Sequence, residues 1–203
     1  MSKGRSIAKI FASAIIMLMF ATLAMLGMVF YMSTIFDLTE MHNMAVKYES
    51  EMKKELQLKF EKTSHLLGII STAEDDNGEI EKAIIEAQKQ YEIAVSNNNL
   101  QAMLDANEVI KTECAKFAKE YPKISAKDRY RNLMYEYSLN EDVITSAKKK
   151  HSEVVGEYNK MVMELPTSIV ANNKGFECIS ELKGYENAND IASIRANRKI
   201  FYP

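Results

Sequence analysis

Tryptophan is absent from these 203 residues, and only seven glycines, three prolines and two cysteines interrupt them. So few breakers exclude a turn-rich β-sandwich and a low-complexity chain. Two cysteines, Cys114 and Cys178, stand 64 positions apart, which excludes a disulfide framework and any paired zinc spacing. Each of the three histidines, His42, His65 and His151, lacks a glutamate three residues before it, so the Glu-x-x-His pairs of di-metal bundles are missing. Glu61 precedes His65 by four, an ordinary solvated helix pair. No phosphate-binding glycine loop and no nucleophile elbow occurs. The expectation is a protein with no catalytic residue, no metal and no cofactor, hence not an enzyme.

Charge is missing from one long stretch. Residues 10–36 contain no charged side chain, with Lys3, Arg5 and Lys9 before them and Asp37 and Glu40 after. A helix rises ~1.5 Å per residue, so about 20 apolar residues cross ~30 Å of hydrocarbon. Ser13, Thr22, Gly27 and Ser33 are among its small or weakly polar interruptions, and a spanning helix satisfies its own backbone. A signal peptide has an apolar core of about 7–15 residues ending in an A-x-A-like site. The run here continues past the only weak candidate, Thr22-Leu-Ala24, so an uncleaved anchor is expected. The three leading cations predict a cytoplasmic N-terminus, residues 1–9, with everything after residue 36 outside. Tyr31 fits an interfacial aromatic anchor, and the five methionines of the span serve as apolar filler.

The first 36 residues hold three of the 26 Lys and Arg and none of the 28 Asp and Glu. The remainder is therefore mildly acidic, which excludes an electrostatic footprint for nucleic acid. What it contains instead is helical periodicity. Leu38, Met41, Ala45, Tyr48, Met52, Phe60, Thr63, Leu67, Ile70 and Ala73 form a first stripe, frayed around Leu56 and Lys59 and stopped by Asp75-Asp76-Asn77-Gly78. Ile80, Ile84, Ala87, Tyr91 and Ala94 form a second, closed by Asn97-Asn98-Asn99. The third passes from Leu100 through Asn107, Ile110, Cys114 and Phe117 to Tyr121, where Pro122 ends it. The fourth runs from Leu133 through Tyr137, Asn140, Ile144, His151, Val154 and Tyr158 to Leu165 and Pro166, with Ser125 as a candidate N-cap ahead of Asp128. These stripes predict amphipathic helices. Short connections predict an all-α chain: a single N-terminal transmembrane helix (residues 10–36), then an up-and-down antiparallel four-helix bundle with long helices. Joining the two middle runs through the three asparagines would give three rods instead. Asparagine disfavours helix and suits a turn, which favours four. Residues 178–203 read as a partly disordered tail, loop-like around Gly184 and residues 187–190.

Glu120-Tyr121-Pro122-Lys123-Ile124 makes a Tyr-Pro turn, and Asn140-Glu141-Asp142-Val143-Ile144 lies on the helix beyond it. They resemble the Tyr-Pro turn and the E-N-x-I step of the LemA family of bacterial membrane-anchored proteins. Tyr158-Asn159 followed by Leu165-Pro166 resembles its Tyr-Asn ending, and Gly175-Phe176 sits where the family has a short Gly-Phe element. The likeness is good over residues 117–177 and thin before them, where only Gln57-Leu58-Lys59-Phe60-Glu61 and Leu66-Leu67 match in part. The family's Tyr-Asn after the anchor and its first-helix Pro-Asn are missing, and His151-Ser152 stand where a second Tyr-Asn is typical. The resemblance implies an N-terminal anchor and a helical bundle over residues 37–177, with no established enzymatic activity.

Two groups of residues are candidates for function. Tyr121, Pro122, Tyr158, Asn159 and Pro166, with the cationic Lys148, Lys149 and Lys150, form a candidate interaction surface. Asn107, Asn140 and His151 fall on apolar stripes and form a candidate polar seam, whose simplest role is to fix helix register. The expected function is a membrane-anchored extracytoplasmic scaffold or adaptor of the bacterial cell envelope, in the cytoplasmic membrane. Its partners would be the lipid bilayer and other envelope or membrane proteins, with homo-oligomerisation left open. The alternative is a ligand-sensing bundle that signals through a membrane partner, because only nine residues precede the span.

Overall fold

The computed structural model describes residues 2–73 and 78–183. The expected turn at Asp75-Asp76-Asn77, and Gly184 with residues 185–203 of the tail, lie outside the described residues. Seven helices account for most of the rest: α1 (Ser2–Glu61), α2 (Thr63–Ile70), α3 (Gly78–Ser96), α4 (Leu100–Glu120), α5 (Pro122–Ser125), α6 (Asp128–Met163) and α7 (Thr167–Lys174). No strand occurs among the described residues. The chain divides into two compact units, Met1–Asn43 with Gly156–Ile179, and Met44–Val155 with Ser180–Pro203.

In the first unit α1 contains an 18-residue stretch long and apolar enough to cross a membrane, and none of it is buried. Met17, Phe20, Met25 and Met28 are each about two-thirds exposed or more. Two threonine hydroxyls along this helix turn back on it: Thr22 Oγ1 donates to the Met19 carbonyl at 2.9 Å and Thr34 Oγ1 to the Phe30 carbonyl at 2.9 Å. Each hydroxyl is thereby satisfied within its own helix. Further along, Leu38, Tyr158, Val162 and Ala171 form the small core of this unit. α7 closes on Gly175 in the left-handed region (φ 73°), and the Phe176 N–H reaches back to the Ala171 carbonyl at 3.0 Å. Glycine is the residue that takes this cap without strain.

The second unit holds the larger core, including Leu56, Leu66, Ile70, Ile80, Ile84, Ile110 and Phe117. The first stripe is not one uninterrupted helix. At Lys62 the backbone N–H bonds to Lys59, three residues back, at 3.2 Å, and this tighter turn separates α1 from α2. Between α3 and α4, Asn98 and Asn99 each have their own task. Asn98 takes the left-handed conformation (φ 51°) and accepts from Lys53 Nζ at 2.9 Å. The Asn99 N–H returns to Ala94 at 2.9 Å, and its side chain caps α4 by accepting from the Ala102 N–H at 3.1 Å. The connection is thus a turn and α3 and α4 are separate helices. Ser125 does not cap α6, because it ends α5 and its hydroxyl donates to Pro122 at 3.2 Å, while α6 starts at Asp128. Pro122 opens α5 as its first residue, where a missing N–H costs nothing.

Candidate functional site

Asn107 is 1% exposed, and what it meets explains why a polar group sits there. Its Nδ2 donates to Glu141 Oε2 at 3.0 Å, and the same oxygen accepts from Lys59 Nζ at 2.8 Å. Lys59 is completely buried and Glu141 nearly so. Lys111 Nζ stands 3.8 Å from the other carboxylate oxygen. The Lys59 ammonium also lies 5.2 Å from the centre of the Tyr137 ring. Burial alone would push the Glu141 pKa up. The Lys59 charge and the bonds from Lys59 and Asn107 outweigh it and hold this carboxyl below its usual range, so it is ionised.

The neighbours stay neutral. Burial pushes the Cys114 thiol up to about 12, with the Lys59 charge opposing only in part. Burial likewise raises Tyr130 and Tyr137 well above the phenol range. Cys114 is therefore an inert thiol rather than a nucleophile. Cys178 is exposed, and both cysteines are free.

Asn140 joins the same seam by donating to Glu55 Oε2 at 2.6 Å. His151 is 1% exposed, and its Nε2 lies 3.6 Å from Glu49 Oε1, with neither ring nitrogen hydrogen-bonded. Burial lowers its pKa below the ordinary imidazole value, and the Glu49 charge offsets this only partly. The sequence reading found the asparagines and the histidine because they break an apolar stripe. It missed Lys59, Glu141, Glu49 and Glu55, which hydropathy treats as solvent-facing. The signal was present nonetheless, because the stripe looked frayed at Lys59 while helical spacing continued through it.

In the first unit Tyr158 and Asn159 are buried rather than open to the surface. Asn159 clamps the segment after α7: its Nδ2 donates to the Ile179 carbonyl at 2.8 Å, and its Oδ1 accepts the Ile179 N–H at 2.8 Å. Tyr158 faces His42 with ring centres 6.1 Å apart. Both residues line a groove of about 400 Å³ completed by Thr39, Gly175, Phe176, Glu177, Cys178 and Ile179. Burial, then Cys178 and Glu177, raise the Tyr158 pKa. The Tyr-Asn and Gly-Phe elements, distant in sequence, thus build one structure. Pro166 is exposed at the turn before α7.

The remaining candidates are scattered. Lys148, Lys149 and Lys150 project about 100° apart around α6. Lys148 is half-buried, and burial lowers its pKa although Glu108, Asp105 and Glu141 counteract that. Lys149 lies 3.9 Å from Glu153, and Lys150 sits 5.8 Å from the centre of the Tyr48 ring. Tyr121 stacks on Phe117 at 5.0 Å, and Pro122 is exposed beside it. No group of three or more His, Cys, Asp or Glu side chains suited to a metal ion occurs among the described residues.

Together these features define an all-helical protein with an exposed apolar leading helix and a charged pair sealed in its core. The LemA family model matches residues 48–194, and the chain belongs to the LemA family. The matched region begins beyond the apolar stretch and covers the seam, the Asn159 clamp and the part of the groove from Tyr158 to Ile179, but not Thr39 and His42. No curated protein matches the chain.

Proposed function

We propose that this chain is a membrane-anchored extracytoplasmic adaptor of the bacterial envelope. The apolar part of α1 crosses the cytoplasmic membrane, and Lys3, Arg5 and Lys9 keep the N-terminus in the cytoplasm. The runs α1 with α2, α3, α4 and α6 form an up-and-down antiparallel bundle. Side-chain pairings support that topology, since partners rise along one helix as they fall along the other: Glu49 with His151, Glu55 with Asn140 and Lys62 with Glu136. Phe60 with Tyr91, and Lys53 with Asn98 just past the end of α3, support the same sense for α1 and α3.

The observation that carries the reading is α1 itself. One unbroken helix exposes most of its large apolar side chains along residues 11–36 and then supplies Met52 and Leu56 to a protein core. Such a helix is stable when lipid covers its first part. For a partner-binding role, the outer side of α3 presents Ile93 and Val95, each about half exposed. Beside Val95 lies a groove of about 440 Å³ lined by Gln57, Phe60, Glu61, Gln88, Tyr91 and Glu92. Photocrosslinking from position 93 in living cells tests it. One reproducible envelope protein is expected, and only random neighbours would refute an adaptor. Protease added to intact spheroplasts should degrade the hydrophilic part; resistance would refute the topology.

The groove around Tyr158 favours a second reading, ligand sensing, because it gathers an imidazole, a carboxylate, a thiol and a phenol. Thermal-shift screening of the full chain in detergent against a broad metabolite set separates the two. A stabilising compound whose effect disappears in Tyr158→Phe supports sensing, and none at all removes it.

A further inference from the structure

Beyond its core-facing side, the corner made by the end of α6 and by α7 exposes side chains that water does not favour. Met163, Leu165 and Ile169 are each about two-thirds exposed or more, while Ser168, Val170 and Ala171 on the opposite side are buried. Ile169 and Asn173 stand four residues apart on α7 and share one outward face, and Leu165 is exposed in the turn that leads into it. The far end of α7 is tied to the anchor. Tyr31 donates its hydroxyl to Asn173 Oδ1 at 3.1 Å, and Lys174 Nζ lies 5.8 Å from the centre of the Tyr31 ring. Tyr31 belongs to the charge-free stretch, five residues before its end. Ile169 lies four residues before Asn173, about 6 Å along the axis of α7.

We propose that this corner lies in the membrane interface: Met163, Leu165 and Ile169 enter the outer leaflet of the bilayer that holds α1, and Lys174 meets its lipid phosphates. The inference rests on the anchor reading and goes beyond it by assigning lipid as the occupant of a second surface. The level of Tyr31 argues for lipid. A tyrosine near the end of a span sits among the headgroups, and whatever is bonded to it shares that depth. An interfacial helix buries its apolar face ~5–10 Å into the headgroup and acyl boundary and places cations at the phosphates. The corner supplies both parts. Lys160 is exposed in the last turn of α6 and adds a second cation to this end of the unit.

Full-length protein in phosphatidylglycerol–phosphatidylethanolamine vesicles tests this. In a Cys178→Ser background the buried Cys114 remains unlabelled, and an environment-sensitive fluorophore is attached at Leu165→Cys, Ile169→Cys, Met25→Cys or Asn43→Cys. Asn43 is exposed and about 10 Å of helix rise beyond residue 36. Lipids spin-labelled near the headgroup should quench the Leu165 and Ile169 labels at least about twofold more than the Asn43 label, with blue-shifted emission. If both match Asn43 while Met25 is quenched by deep spin labels, the anchor stands and the proposal is overturned. If Met25 is not quenched either, both fall. Blue-shifted emission without lipid quenching at positions 165 and 169 would put protein against this face and also overturns it.

Discussion

Replacing Glu141 with leucine removes one carboxylate and strands two donors. Lys59 Nζ and Asn107 Nδ2 both give their bonds to Glu141 Oε2, and neither residue has water to turn to. Breaking a buried pair by deleting one partner costs about 3–5 kcal/mol, mostly because a charge remains buried alone. Lys59→Met should cost less, near the lower end. Glu141 then keeps the Asn107 bond, and Lys111, 3.8 Å away and partly solvated, can close on it. The double variant Lys59→Met/Glu141→Leu removes both charges and fills similar volume, so it should lie within about 1–2 kcal/mol of the parent. The coupling energy is therefore large, at least about 2 kcal/mol, well outside the additivity expected of independent sites. Urea unfolding of the full chain in mild detergent, followed by far-ultraviolet circular dichroism, measures all four corners of the cycle. Single variants that each lose less than about 1 kcal/mol and combine additively would refute the argument. The acid side gives a second check. The Glu141 pKa is lowered from 4.5 in the folded chain. Its contribution is complete above the ordinary carboxylate value and disappears as pH falls through the lower folded value. Glu141→Gln should show no such loss.

His151 should contribute a different pH dependence. Its folded pKa lies below 6.5, so the unfolded chain binds the extra proton first and stability falls as pH drops below about 6.5. Glu49 faces it from α1, and Lys150 and Tyr48 lie nearby. Urea midpoints at about pH 7.5 and about pH 5.5 should differ for the parent and converge in His151→Asn; an unchanged slope would contradict this. Asn159→Ala deletes both bonds to Ile179 and should raise hydrogen exchange at the Ile179 amide about ten- to a hundred-fold, corresponding to about 1–3 kcal/mol of local opening. No change would show that the segment is held by packing alone. Native protein should react with a maleimide at one thiol, Cys178, and at Cys114 only after unfolding, because Cys114 is buried and protonated. Rapid double labelling by mass spectrometry would overturn that assignment.

The helical runs and their ends were legible because each carries a local signal. Pro122 and Pro166 lack the donor a continuing helix needs, and a run of three asparagines suits a turn, where Asn98 takes the left-handed conformation and Asn99 caps the next helix. The apolar stretch was legible from the absence of charge alone. The break at Lys62 was not, because a shift from four-residue to three-residue hydrogen bonding leaves no compositional mark. The seam was half legible. Asn107, Asn140 and His151 stand out among apolar neighbours, whereas Lys59 and Glu141 look like surface residues until helices 82 positions apart in sequence are brought together. The Asn159 clamp was hidden for the same reason, since its partner is a backbone amide on an extended segment.

The buried pair also bears on how α1 and α6 align. Their facing stripes are built of Met52, Leu56, Phe60, Tyr137, Ile144 and Ala147, and apolar contacts alone tolerate a slide by one helical turn of about 5.4 Å. A slide of that size would carry Glu141 past Lys59 and leave both ions without partners in a dry core. Losing either partner costs about 3–5 kcal/mol, comparable to the whole margin of a small domain. The observed register also gives Asn140 its Glu55 and sets His151 against Glu49, so three polar contacts on one helix pair select the same alignment. Charge sealed in this core thus does little for stability over a well-packed apolar pair. Its effect is to raise the energy of the misaligned alternatives, which keeps the long helix α1 in a single register with its neighbour.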